Sequence, residues 1–124
     1  MAWEINGTDE FADWYGDLDR DQQDSVIATV ELLAEYGPQL DRPHADRIKN
    51  SKFHNMKELR PRGAAKNCRA LYIFDPRRQA ILLVGGDKSG QWAQWYSTAV
   101  PQAERLYEEY LGDLEADGYL DKTD

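Results

Sequence analysis

Cysteine is nearly absent from this 124-residue chain: Cys68 stands alone, which excludes an intrachain disulfide and any multi-thiolate zinc or iron–sulfur site. A reducing compartment suits such a chain, and a cytoplasmic protein is expected. Histidine is scarce as well, with only His44 and His54, so a zinc site has little support and neither a metal nor a cofactor is expected. Long apolar runs are missing. The longest aliphatic stretch, Ala80 to Val84, is far shorter than the ~20 residues that a membrane helix needs. The opening residues MAWEINGTDEFADW have neither the basic start nor the apolar stretch of a secretion signal, so no membrane partner is expected. A phosphate-binding loop is missing too. Gly85-Gly86-Asp87-Lys88-Ser89-Gly90 lacks the GxxxxGK[ST] spacing and follows a hairpin strand, which argues against nucleoside triphosphate hydrolysis.

What is there suffices for one core. With 41% apolar and 11% aromatic residues, a chain of this length folds as a single domain without staples. That domain is expected over residues 1–118, with an acidic tail at 119–124. Ala2 to Asn6 reads as a short strand. Thr8 caps a first helix carrying Phe11, Trp14, Tyr15 and Leu18, and Asp19 with Gln22 forms a capping box for a second. The second stripe, Val26, Ile27, Val30, Leu33 and Ala34, ends at Gly37-Pro38. Leu40 to His54 is polar, basic and broken by Pro43 and Asn50-Ser51, which reads as a loop. Three strands follow, Met56–Arg60, Asn67–Phe74 and Ala80–Val84, joined by short turns and therefore antiparallel. Residues 89–98 read as irregular, and a last helix starts near Pro101 and ends before Gly118. The order β-α-α-β-β-β-α predicts an α+β fold: a mainly antiparallel sheet of about four strands, two N-terminal helices, one C-terminal helix. The helices are expected mainly on one side, with the other sheet face open to a ligand.

The net charge of −8 conceals a strong asymmetry. Residues 42–78 hold eleven Lys/Arg against three acids, Asp46, Glu58 and Asp75, so this segment carries +8 and the rest −16. One face can therefore attract phosphate although the whole chain is acidic. Lys49, Lys52, His54, Lys57, Arg60 and Arg69 come from one loop and two adjoining strands, a phosphate site in outline. Cleaving RNA through its own 2′-hydroxyl needs a base, cations for the charge growing on phosphate, and an acid for the leaving 5′-oxygen. His54 suits proton transfer, as base or as acid. Arg60 and Arg69 suit charge stabilisation. Strand alternation puts Arg60 on the face of Met56 and Glu58, so Glu58 pairs with an arginine and orients it, or forms a plain cross-strand salt bridge. Trp92, Trp95 and Tyr96 either stack on bases or cover the core.

The run Lys57-Glu58-Leu59-Arg60, the strand Arg69-Ala70-Leu71-Tyr72-Ile73-Phe74-Asp75, LLVGGDKSG and the closing helix together resemble the RelE/ParE toxin superfamily, in its HigB or phage Gp49-like branch. The resemblance implies a RelE-like fold and a cytoplasmic toxin of a type II toxin–antitoxin system. It further implies a metal-independent endoribonuclease that cuts messenger RNA at the ribosome and is neutralised by a helix-turn-helix antitoxin. Arg60 and Arg69 match the family's strand arginines, Lys88 a basic residue after the last strand, and Tyr96 a late tyrosine; Lys49 and Lys52 match more loosely. Where RelE-type members carry lysines on the first hairpin strand, this chain has Met56 and Glu58, and His54 and Lys57 stand in. The expected catalytic set is then His54, Arg60 and Arg69, with Lys52 or Tyr96 protonating the leaving oxygen. RNA contacts are expected from Lys49, Lys57, Arg62, Lys66, Lys88, Trp92 and Trp95. Two other classes share the fold: a ParE-like gyrase-inhibiting toxin without catalysis, and a non-toxic degenerate regulatory member.

Overall fold

Two caps place the N-terminal helices. The Thr8 hydroxyl accepts from the Phe11 amide at 3.0 Å and donates to the Leu83 carbonyl at 2.6 Å, so one side chain opens helix α1 (Asp9–Gly16) and ties it to the sheet. The Asp19–Gln22 box closes as the sequence predicts, at 2.8 and 3.2 Å, and opens α2 (Arg20–Tyr36). Val26 and Leu33 are buried beneath α2, whereas Ile27 of the expected stripe is 42% exposed. Gly37, at φ 63°, ends α2 where a Cβ would run into the Trp3 indole. The computed structural model describes residues 2–90 and 92–118, apart from the Trp92 side chain; the expected acidic tail lies outside the described residues.

Five strands form one sheet: β1 (Ile5–Gly7), β2 (Ala45–Arg47), β3 (Lys57–Leu59), β4 (Cys68–Phe74) and β5 (Ala80–Asp87). Their order is β1-β5-β4-β3-β2, parallel at β1–β5 and antiparallel elsewhere. The fold class is the expected α+β. The extra strand is β2, a three-residue edge element inside the segment read as loop. It is too short to display an alternating pattern, and it forms because β3 supplies its hydrogen-bonding partners.

The arrangement of helices corrects the expectation of an open sheet face. Helices α1 and α2 pack with Phe11, Val26 and Leu33 on the face carrying Leu59, Ala70, Tyr72 and Leu82. Helix α3 (Trp92–Ala116) covers the opposite face, burying Met56, Leu71, Ile73, Ile81 and Leu83 beneath Ala99, Val100, Ala103 and Tyr107. Each such side chain removed from water is worth about 1.5–3 kcal/mol, so both faces are committed to packing. Residues read as irregular are thus helical from Trp92, and Pro101 lies inside α3 rather than in its first turn. The overlooked signal is Trp95-Tyr96, Ala99-Val100 and Ala103, an apolar series at steps of four.

A register shift at Leu71/Tyr72 leaves Leu83 without a partner, which places Leu83 and Val84 together on the α3 face. The next two residues are glycines for opposite reasons. A Cβ on Gly85 would penetrate the Trp14 indole, and one on Gly86 the Trp95 indole. The glycine pair admits one tryptophan on each face, a packing role that needs no phosphate.

Candidate functional site

The register of β2, β3 and β4 sets Asp46 opposite Glu58 and Glu58 opposite Leu71, on the face that α3 covers. A carboxylate in a core row demands compensation, because desolvating it costs several kcal/mol. Glu58 is 3% exposed and is compensated on both oxygens. Arg60 Nε donates to Glu58 Oε2 at 3.0 Å, and the Tyr96 hydroxyl donates to Oε1 at 2.5 Å. Arg69 Nε stands 3.9 Å from the same Oε1. Arg60 also reaches Asp46 Oδ2 at 3.1 Å, an oxygen it shares with Arg42. Arg69 is fixed from its other end, where Nη1 donates to the carbonyls of Lys66 and Cys68 at 3.0 and 2.7 Å. Its Nε is buried without a hydrogen-bond partner.

These contacts set the protonation chemistry. Burial, reinforced by the Glu58 hydrogen bond and charge, pushes the Tyr96 hydroxyl far up, so it keeps its proton at neutral pH. Lys88 shifts the other way: burial and the neighbouring Arg69 and Arg60 charges lower it, while Glu58 opposes them. Burial raises Asp46, but the Arg47 amide and the Arg42 and Arg60 charges outweigh it and the group ends below the ordinary carboxylate value.

Two clefts flank this group and Arg60 borders both. The first, about 660 Å³, runs between the β2 edge and α3; Arg47, Lys49, Arg60 and Tyr96 line it with Asp46 and Glu58. The second, about 360 Å³, lies beside the turn after β3 and is lined by Arg60, Arg62, Lys66 and Arg69 with Pro43 and Pro61. Of the residues expected to act together, the structure gathers Arg60, Arg69 and Tyr96 on Glu58, and Lys88 feels the charges of Arg69, Glu58 and Arg60. It sets Lys49 in the first cleft, and Arg62 and Lys66 in the second.

Four expected members are elsewhere. His54 is exposed on the β2–β3 loop, before β3, whereas Arg60 follows it, and it lines another depression with Asn55, Lys57 and Phe74, which meets the first cleft only through Arg47. A short strand separates its two ends as effectively as it joins them. Lys52 is engaged by Glu108 at 2.7 Å, and Lys57 Nζ donates to the Leu40 carbonyl at 2.6 Å. Trp95 packs over Gly86 and meets Tyr96 edge-on at 4.9 Å, a structural position, and the Trp92 side chain lies outside the described residues. Sequence reasoning missed Asp46 and Arg42. Their signal was composition: each of the three acids among eleven cations is an ion-pair centre, Asp75 included, which lies 3.7 Å from Arg77 and accepts from Tyr110 at 2.7 Å. Among the described residues no group of three or more His, Cys, Asp or Glu is placed to hold a metal ion.

The sequence profile of the family described as "Phage derived protein Gp49-like" matches residues 13–108, which contain the whole Glu58 group. The chain belongs to this family. Its relatives include two Mycobacterium tuberculosis proteins, "Putative toxin HigB3" and "Putative toxin HigB2". The first is 47% identical over 105 residues, covering 85% of this chain and 90% of the relative. The second is 42% identical over 103 residues, covering 82% of this chain but 51% of the relative. Among solved structures, a free E. coli RelE toxin carrying two arginine substitutions superposes with a TM-score of 0.60 at 13% identity, covering 82% of this chain and 98% of that one. RelE in the RelE–RelB complex of Pyrococcus horikoshii gives 0.54 at 16%, covering 73% and 99%. The Gp49-like chain therefore groups with relatives that are HigB toxins by name, and its fold is like that of RelE.

Proposed function

We propose that this Gp49-like protein is the toxin of a type II toxin–antitoxin pair and cleaves messenger RNA on the ribosome, in the cytoplasm, through protein side chains alone. One observation carries the reading: Arg60, Arg69 and Tyr96 surround a buried carboxylate that lines a cleft, and the charges of this group act on Lys88. Arginines do not give up protons in proteins, and Tyr96 holds its own, while both Glu58 oxygens are already accepting. Lys88 is then the proton acceptor. Its neutral amine takes the 2′-hydroxyl proton as the 2′-oxygen bonds to phosphorus, and Arg60 and Arg69 neutralise the phosphorane. The bond from phosphorus to the 5′-oxygen breaks, and that oxygen takes the Tyr96 proton. The products are a 2′,3′-cyclic phosphate and a 5′-hydroxyl end, and proton return from Lys88 through solvent restores Tyr96. Glu58 orients Tyr96 and Arg60 throughout. His54 and Lys52 stand outside this geometry and receive no proton-transfer role.

The partner proposed is a small helix-turn-helix antitoxin, in keeping with the HigB relatives and with the RelE chain of Pyrococcus horikoshii, which was solved with RelB. Induction in bacteria without the antitoxin tests the whole reading. Growth arrest with new RNA 5′ ends is expected, and Arg69→Ala should abolish both while the purified variant stays folded. Arrest with intact transcripts and inhibited gyrase would replace the ribonuclease reading with the ParE-like one; no arrest would point to the non-toxic class.

A further inference from the structure

The two clefts that meet at Arg60 differ sharply in charge. The first mixes Arg42, Arg47, Lys49 and Arg60 with Asp46, Glu58 and Glu104, so its cations are largely answered by carboxylates, and Ile48 and Val100 give it an apolar wall. The second has four cations, Arg60, Arg62, Lys66 and Arg69, and no acid among its lining residues. Among the described residues Arg62 and Lys66 take part in no ion pair. Arg60 and Arg69 are answered by Glu58, and Arg60 also by Asp46, so the charge that no carboxylate meets around this space of about 360 Å³ comes from Arg62 and Lys66, and an anion between them would relieve their repulsion. Pro43 and Pro61 wall the pocket with rings that offer no N–H donor, so its side-chain donors are the cations.

We propose that the Arg60–Arg62–Lys66–Arg69 pocket is a phosphate subsite that holds the backbone phosphate next to the scissile one. The inference rests on the ribonuclease reading and adds a division of labour to it. The charge-balanced cleft with its apolar wall takes a base and its ribose. The acid-free cleft takes the neighbouring phosphate on Arg62 and Lys66, while Arg60 and Arg69, both paired with Glu58 of the first cleft, stay on the scissile phosphodiester between them. Single-stranded RNA is the substrate class that supplies a base and two consecutive phosphates in this order.

The test uses the full chain and Arg62→Ala/Lys66→Ala with two probes: a short 2′-O-methyl single-stranded RNA, which binds but has no nucleophile to react, and inorganic phosphate. For the RNA, affinity is measured across a salt series. Losing one phosphate contact should reduce the slope of log affinity against log salt by about 0.7 and weaken binding about tenfold near physiological salt. Inorganic phosphate at matched ionic strength should raise the Tm of the wild-type chain and not that of the variant. The variant's own melt in chloride confirms folding; should the double variant not fold, Arg62→Gln alone, which keeps most of the side chain, is carried through both arms. An unchanged slope and affinity with wild-type RNA binding intact would overturn the subsite and leave the ribonuclease reading standing. Loss in the phosphate arm alone would make the pocket a free-anion site and overturn its role for RNA. Absence of RNA binding by the wild-type chain would remove both.

Discussion

Glu58 is the residue on which stability and activity should part most clearly from a surface ion pair. Its side chain is 4% exposed and its partners Arg69 and Arg60 are 12% and 34% exposed, so the group works in a medium where an unpaired charge is expensive. Glu58→Ala leaves the Tyr96 hydroxyl without its acceptor and Arg69 without the charge it faces. Arg60 keeps Asp46 at 3.1 Å, which limits the damage. Removing one member of a buried pair costs about 3–5 kcal/mol, and with Asp46 still in place the lower end, about 3 kcal/mol, is expected. For a chain of this size that is a fall in Tm of roughly 10–15 °C. Glu58→Gln keeps one carbonyl acceptor and the shape, and should cost about 1–2 kcal/mol. Urea titration followed by circular dichroism measures both variants against wild type.

The cleavage readout separates two roles for the same carboxylate. As the holder of Arg60 and Tyr96, Glu58 is needed, and both variants should cleave at least about 10²-fold more slowly, the scale on which positioned acid–base groups act. As a shield that neutralises the arginines, it would hinder RNA, and Glu58→Gln would bind and cut better than wild type. A Glu58→Gln protein with unchanged Tm and faster cleavage would refute the positioning argument outright.

Three further outcomes follow from the site and the sheet. Cleavage by wild type should rise with pH along a limb below the ordinary lysine value of 10.5, because Lys88 acts deprotonated and its pKa is lowered; Lys88→Arg should remove the limb and most of the rate. Asp46 lies below its unfolded value, so the stability it adds is fully present above that value and is lost as pH falls through the folded one. Asp46→Asn should flatten the stability curve below about pH 4, as read by acid titration of the Tm. Gly86→Ala must push the Trp95 indole aside, at a cost of about 1–3 kcal/mol, and should slow cleavage through the adjoining Tyr96, whereas an equally stable, fully active variant would sink the packing account of the glycine pair.

Local signals were legible wherever a few adjacent residues carry the physics. Thr8 and the Asp19–Gln22 box are helix caps that need only their own neighbours, and both form as written. Alternation along Cys68–Phe74 assigned one sheet face correctly, with Ala70 and Tyr72 in the α1–α2 core and Leu71 and Ile73 in the α3 core. Edge strand β2 was not legible, because three residues beside Pro43 owe their conformation to β3 and not to themselves. The spacing of the glycine run argued against a phosphate loop, but the reason for its glycines was not legible: Gly85 and Gly86 answer to Trp14 and Trp95, which are distant in sequence. At the site, strand parity put Arg60 with Glu58, and that pair forms. His54 was grouped with Arg60 by reading a loop and the strand after it as one locus, whereas residues on either side of β3 leave at opposite ends.

The net charge of −8 raised the sharpest objection to RNA, and the layer order answers it. Half of the −16 outside the basic segment lies in residues 9–36, where nine acids stand against Arg20 alone. That segment forms α1 and α2, which pack on the sheet face opposite the Glu58 group. Packed layers sit about 10 Å apart, and the screening length at physiological salt is about 8 Å, so the charges on α1 and the later turns of α2 act on a phosphate in either cleft only weakly, whereas Ser25 of α2 lies beside Gly63 of the second cleft and the acids next to it are left in place. Asp13, Asp17 and Glu31 are exposed and take part in no ion pair among the described residues. Replacing them by Asn, Asn and Gln moves the net charge from −8 to −5. RNA affinity should then change by no more than about twofold at physiological salt and tighten only as salt is lowered, when the screening length grows to about 30 Å at 0.01 M. A tenfold gain at physiological salt would mean that the whole-molecule charge reaches the cleft, and the segregation of the basic segment would no longer explain how an acidic chain holds a phosphate backbone.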